Sequence, residues 1–395
     1  MIVISEKNKC CGCTACQSVC PRNSITMLVD GEGFFYPKVN MQTCIECGLC
    51  EKVCPYLNKH EEKTACLVIG AINKNYLELE SSTSGGVFSA IAKKIIERQG
   101  IVVGAGFNDD WEVCHTLIDS LEGLKQLRGS KYVQSKLGDI YKQIHGLLEQ
   151  KTEVLFSGTP CQVNGLKNFL RRDYDNLICV EIVCHGVASP RVWNDYNEQL
   201  PKKKNIVGIS FRDKRKGWAK YGFRVEYSDG SEIYENRDKN FYIRGYLTNT
   251  FLRPSCYNCP SKAGRSGADI AIGDFWGVKK YYPNLDVQSG VSLVLAYTNK
   301  GISLLKDIDI NRLPSTYEQA VASNAMLLVS TDEPTDRELF WNEYKKNGLK
   351  AIYSALKRRR PSCIVRMKTG LIGYAKLSIS LIKKTLSCWR QKIKE

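Results

Sequence analysis

Two runs of cysteine carry the most specific chemistry in the chain. Cys10, Cys13, Cys16 and Cys20 precede Pro21, and Cys44, Cys47, Cys50 and Cys54 precede Pro55. Each run reads C-x2-C-x2-C-x3-C-P, a spacing in which three thiolates wrap one iron–sulfur cube and the fourth closes the cube of the other run. The pattern assigns one cluster to Cys10, Cys13, Cys16 and Cys54, and a second to Cys44, Cys47, Cys50 and Cys20. Zinc modules pair separated CxxC units rather than placing three cysteines in one run, so two [4Fe-4S] clusters are the expected cofactors. Cys11 is a ninth cysteine that the spacing leaves as a spare thiol.

Four further cysteines fall at the ends of expected elements. Cys161 lies where a short strand, 154–156, turns into a helix at 162–170. Cys184 follows a strand at 177–183, and Cys256 and Cys259 form a CxxC pair before Pro260. Their spacing alone leaves three readings open: inert thiols beside a lone CxxC, a zinc site, or a third [4Fe-4S] cluster. His185, next to Cys184, is the best-placed proton donor among the four histidines, with a packing or hydrogen-bonding role as the alternative.

Ligand-binding candidates lie outside the cysteines. Ser84, Gly85 and Gly86 open an apolar-periodic helix at 87–99, where free backbone N–H groups suit a phosphate as well as an ordinary cap. Lys131 follows the flexible pair Gly129 and Ser130, within reach of an anionic cofactor or a flavin carbonyl. Arg265, Asp274 and Trp276 flank a strand near 270–274 and could meet a polar planar ligand. Gly104 and Gly106 lack the rest of a dinucleotide fingerprint, and no Walker A sequence occurs, so nucleotide hydrolysis has no support.

The elements that must position these groups alternate short apolar strands with helices after residue 61, which indicates a mixed α/β body. Before it, strands at 25–29 and 34–39 around Asp30-Gly31-Glu32-Gly33 read as a hairpin within a bacterial-type dicluster ferredoxin module. The expected organisation is a ferredoxin domain at 1–60, an α/β body in two parts at 61–150 and 151–330, and a basic helical tail at 331–395. Within that tail, residues 345–360 read as one helix, stopped by Pro361.

A chain of 395 residues is too long to be only a small electron carrier. Eighteen cysteines in a chain this large, eight of them in metal spacing and with no secretory leader at 1–9, point to a reducing cytoplasm. The net charge of +16 is concentrated near the C-terminus, so it does not argue for nucleic acid as a partner. Residues 371–388 are interrupted by Lys376, Lys383 and Lys384 and do not read as a spanning helix. They suit peripheral contact with an anionic cytoplasmic membrane face, a solvated helix, or a docking arm for an acidic ferredoxin.

The ordered fragments TSGGVFS, GSKYVQS, SGTPCQVNGL, CHGVASP, FRDKRKGW, SCYNCPSKAGR and ADIAIGDFWG resemble the family of beta subunits of coenzyme F-420 hydrogenases and dehydrogenases. The likeness runs from the cluster module to about residue 320. That family includes flavoproteins acting on a deazaflavin coenzyme and a plant relative that reduces a chlorophyll side chain with ferredoxin. The resemblance implies that Ser84, Gly85, Gly86 and Lys131 contact FAD, and that Cys161, Cys184, Cys256 and Cys259 hold a core cluster. It implies an iron–sulfur flavoprotein oxidoreductase exchanging electrons between a ferredoxin or other electron-transfer protein and an organic substrate. Alternatives are an F-420 oxidoreductase, or a non-catalytic electron-transfer subunit of a homo- or hetero-oligomer.

Overall fold

The computed structural model describes residues 1–201 and 205–359. Its strands are β1 (Ile25–Val29), β2 (Phe35–Val39), β3 (Leu67–Asn73), β4 (Ile101–Phe107), β5 (Val113–Ile118), β6 (Val154–Gly158) and β7 (Leu177–Ile182). These are followed by β8 (Ile206–Asp213), β9 (Gly222–Tyr227), β10 (Glu232–Asn236), β11 (Ile270–Asp274), β12 (Ser292–Ala296) and β13 (Ile310–Pro314). An eight-stranded sheet runs β13-β3-β12-β11-β7-β6-β4-β5, with β11, β7, β6 and β4 parallel at its centre. The body is therefore mixed α/β, as the alternation of elements predicts.

Central strands of this kind are buried on both faces, and their sequences show it. In β6, Val154 and Phe156 enter the core formed with helices Ile140–Glu149 and Pro160–Leu170, while Leu155 points the opposite way. That second face packs on Ile91 and Ile95 of helix Val87–Glu97 and on Leu304 and Leu305 of helix Asn299–Asp307. The two-residue period of a strand thus splits one apolar run between two cores.

A second sheet, β10-β9-β8, sits on an aromatic core containing Trp193, Phe211, Phe223, Tyr242 and Phe340. Two helices, Arg337–Asn347 and Lys350–Arg358, stand where the sequence suggests one, because Gly348 at φ 55° breaks the run between them. These helices open the segment expected as a basic tail, yet Phe340, Trp341, Tyr344 and Ile352 are buried in this core. Residues 361–395, with the proposed membrane or ferredoxin contact, lie outside the described residues. Among the described residues no helix is long and apolar enough to cross a membrane.

The N-terminal module is the β1–β2 hairpin with two short helices, Ala15–Val19 and Leu49–Lys52. Asp30 closes the hairpin by accepting from Glu32 N and Phe34 N, each at 3.0 Å. The body grips this tip: Arg191 donates to Gly31 O at 2.9 Å, Ser189 donates to Glu32 O, and Arg337 pairs with the Glu32 carboxylate. The cysteine run docks on helix Pro160–Leu170 at Gly165, where an added Cβ would lie 2.8 Å from Cys13 Cβ and 2.9 Å from Cys13 Sγ.

Only a residue without a side chain permits this approach. Gly165→Val should therefore lower stability by about 1–3 kcal/mol through overpacking, read as a shift in the urea midpoint. Gly146 faces open space on helix Ile140–Glu149, so Gly146→Ala should be neutral or gain up to about 1 kcal/mol.

Candidate functional site

Each predicted four-cysteine set frames its own space. Cys20, Cys44, Cys47 and Cys50 line one small cavity, and Cys10, Cys13, Cys16 and Cys54 line another together with Cys11. The thiols surround these spaces rather than converge. Among the described residues no three His, Cys, Asp or Glu side chains are placed to hold a single metal ion. Backbone amides already point at the sulfurs, Ile2 N at Cys50 Sγ and Ser24 N at Cys20 Sγ, both 3.3 Å away. Such donors suit sulfurs that carry negative charge.

Cys161, Cys184, Cys256 and Cys259, far apart in sequence, come together as neighbours that raise one another's pKa. Burial pushes the Cys184 and Cys259 thiols up to about 12 and Cys256 higher still. As free groups they stay protonated, and a bound metal centre is what would deprotonate them. Val187 N adds a donor to Cys256 Sγ at 3.4 Å, and Thr159 Oγ1 lies 3.3 Å from Cys161 Sγ.

The three sets form a continuous sequence in space. Cys50 of the first set is close enough to Cys16 and Cys54 of the second to raise their pKa values. The Cys11 thiol lies between those of Cys161 and Cys13, close enough for each neighbour to shift its pKa. The thiol that sequence spacing leaves spare thus occupies the junction between the module and the body. At the outer end Cys47 is exposed, and at the inner end Cys184 lines a large cavity.

That cavity has a volume of about 410 Å³ and opens beyond the C-terminal ends of the parallel strands β6, β7 and β11, where open α/β sheets bind ligands. Ser84, Gly86, Lys131, His185, Asp274 and Trp276 all line it. Gly85 stands behind the lining, where an added Cβ would overlap Ala71 O, and ties the loop to the sheet through its carbonyl and Asn73 N at 2.7 Å. Arg265 is not in this cavity. It pairs with Glu62 beside a separate groove shared with Cys259, because the loop preceding β11 turns away from the strand's C-terminal end.

The remaining candidates are engaged in ways that sequence does not reveal. Lys131 donates to the Gln126 and Arg128 carbonyls at 2.9 Å, and burial beneath this loop lowers its pKa to about 7. His185 has Asn249 Oδ1 at 2.7 Å and the Tyr246 carbonyl as partners, and burial lowers its pKa. This leaves it better suited to positioning than to proton delivery. Asp274 is saturated by Arg212 Nη1 at 2.6 Å and Trp218 Nε1 at 3.0 Å, and Trp218 stacks on Trp276 with centroids 4.6 Å apart.

Arg212 and His115 are the residues that sequence reasoning missed. Arg212 lies in the fragment FRDKRKGW, whose position at a strand end gives no hint of its pairing with Asp274. His115 accepts from Ser135 Oγ at 2.9 Å through Nδ1 and donates from Nε2 to Ser157 O at 3.0 Å. Ser135 in turn accepts from Gln162 Nε2 at 2.9 Å, and Gln162 Oε1 caps Thr159 N at 2.9 Å. This relay fixes the turn that presents Cys161.

Residues 9–58 match the 4Fe-4S dicluster domain, and residues 151–316 match the C terminus of the coenzyme F420 hydrogenase/dehydrogenase beta subunit. Over the latter span the chain is thus similar to the beta subunits of coenzyme F420 hydrogenases and dehydrogenases. The match contains all four core cysteines and Arg212, whereas Ser84 and Lys131 precede it. A subunit of the F(420)H(2) dehydrogenase of Methanosarcina mazei is 23% identical over 287 residues, covering 68% of this chain and 76% of that one. The coenzyme F420-dependent sulfite reductase of Methanocaldococcus jannaschii is 26% identical over 53% of this chain, but the match spans only 32% of that protein. A chain of the F420-reducing [NiFe] hydrogenase complex from Methanosarcina barkeri aligns over 78% of this chain and 94% of its own, with 17% identity and a TM-score of 0.44, too low to argue from. The chain is thus related to oxidoreductase subunits and carries an iron–sulfur domain at its N-terminus.

Burial lowers the His115 pKa from 6.5 to about 4. Between these values the unfolded chain binds the proton and the folded chain does not, so stability is full above pH 6.5 and falls as pH drops toward 4. The whole effect is about 3 kcal/mol, of which about 1.4 kcal/mol is lost by pH 5.5. Urea unfolding at pH 7.5 and 5.5, followed by tryptophan fluorescence, should show this loss and a smaller one in His115→Asn.

Proposed function

We propose that the chain is an iron–sulfur flavoprotein oxidoreductase that exchanges electrons between a ferredoxin-like protein and an organic substrate. The observation that carries this reading is the unbroken run of thiol sets from exposed Cys47, through Cys11, to Cys184 at the large cavity. Two sets of four cysteines lining small cavities, and a third set gathered as close neighbours in the body, fit three [4Fe-4S] clusters. The cavity fits FAD in its donors: the start of helix Val87–Glu97 opens onto it, and Arg128, also in its lining, keeps a buried Nε without a partner among the described residues. Bound clusters would supply one-electron storage, and a flavin the conversion to two-electron chemistry.

The chain's own residues then have distinct tasks. The Thr159 to Gln162 turn, braced by Ser135 and His115, holds Cys161 against Cys11. The Ser84 and Gly86 loop offers backbone donors to a phosphate, with Lys131 beside it in the lining. The stacked Trp218 and Trp276 give the cavity a planar apolar wall. A second reading, an electron-transfer subunit whose catalytic partner is another chain, is favoured by a relative named as a subunit of the F(420)H(2) dehydrogenase, beside a second named as a coenzyme F420-dependent reductase. Those names also make F420 a candidate electron carrier.

Anaerobic reconstitution followed by iron, sulfide and flavin analysis tests the proposal. Roughly twelve irons and one flavin per chain are expected, falling to roughly eight irons in Cys256→Ser with the N-terminal clusters intact. Full zinc occupancy without flavin would overturn the reading. Rapid electron exchange with a protein partner but no small-molecule turnover would favour the subunit reading.

A further inference from the structure

The cavity contains a recognition group that the cofactor reading does not use. Arg212, at the end of β8, is 6% exposed, and its Nη1 is committed to Asp274 Oδ2 at 2.6 Å. Its ring neighbours are Tyr221, 4.6 Å from the guanidinium carbon to the centroid, and Trp276 at 5.5 Å. Its Nε and Nη2 are buried and have no hydrogen-bond partner among the described residues. These two nitrogens form one edge of the guanidinium, with parallel N–H bonds spaced for the two oxygens of a carboxylate or phosphate. Leaving both unmade is costly for a buried cation, so the edge calls for an acceptor.

Asp274 cannot be that ligand's partner, because both its carboxylate oxygens are taken by Arg212 and Trp218. Its role is to aim the guanidinium. The groups suited to the cofactor's phosphates, the start of helix Val87–Glu97 and Arg128, belong to loops of the eight-stranded sheet. Arg212 and Tyr221 instead come from the three-stranded sheet and its approach, which meets the large sheet at this cavity. With the phosphate donors placed elsewhere, the Arg212 edge remains for a second molecule.

We propose that the substrate carries a two-oxygen oxyanion, a carboxylate or a phosphate, bound bidentate by Arg212 Nε and Nη2. The proposal rests on the flavoprotein reading for the cofactor and adds the substrate's chemical class. Lys cannot replace Arg here, because a point charge lacks the planar fork.

The test titrates benzoate and, separately, inorganic phosphate into the reconstituted holoprotein, reading tryptophan fluorescence and the flavin absorbance bands. One of the two anions should bind to the wild type. Its affinity should fall at least tenfold in both Arg212→Lys and Arg212→Gln, with iron and flavin content unchanged. Equal binding in the variants would overturn the proposal, as would loss of flavin with the clusters retained, which would assign the edge to the cofactor. A wild-type protein that responds to neither anion overturns it regardless of how the variants fold. If the wild type binds no flavin, the flavoprotein reading fails, and the tryptophan signal still decides whether Arg212 holds an oxyanion.

Discussion

Arg253 is a fully buried cation that pairs with no carboxylate among the described residues. Its guanidinium donates to the carbonyls of Cys10 and Phe35 at 2.8 Å and to Gln134 Oε1 at 2.9 Å. It also reaches Cys10 Sγ at 3.7 Å and lies over the rings of Tyr36 and Phe34. A charge in such a place is tolerated only when its hydrogen bonds are made and opposite charge is near. The opposite charge available here is sulfur: thiolates at Cys10 and its set would supply it, and they exist as thiolates when bound to metal. The hairpin grip and the close packing at Gly165 hold the module on the body beside this contact, so metal binding at Cys10 would be coupled to domain assembly.

The same contact explains why the thiol sets are ordered in space. Helix Pro160–Leu170 brings Cys161 up to Cys11 at one end and lies flat against Cys13 at Gly165. Its first turn is held by the Gln162, Ser135 and His115 relay, which requires a neutral imidazole with Nε2 protonated. The body is thus built to keep one loop still while the cavity beside it remains open to ligands.

Much of this was legible in the sequence, for definite reasons. Spacing alone divides the eight cysteines of the first module into the same two sets that line its two small cavities, because their geometry is local. The strands β4 and β7 and the turn at Cys161 follow from apolar runs bounded by glycine or polar residues. What sequence could not give depends on contacts between distant segments: Arg253 with Cys10, Arg212 with Asp274, Cys11 with Cys161. Arg265 shows the reverse failure, since nearness to Asp274 along the chain placed it in a cavity that the fold turns it away from. Similarly, Gly348 divides a helix that helix-forming neighbours on both sides make look continuous.

With clusters in place, the module's inner set and the core set would stand as neighbours across the Cys13, Cys11 and Cys161 junction, and electrons would pass between them there. Electron paramagnetic resonance of the anaerobically reconstituted, fully reduced protein tests it most directly. The account predicts signals broadened and split by spin coupling between neighbouring clusters, collapsing toward the simpler spectrum of the dicluster module in Cys161→Ser. Sharp, additive signals in the wild type, unchanged by that substitution, would contradict it.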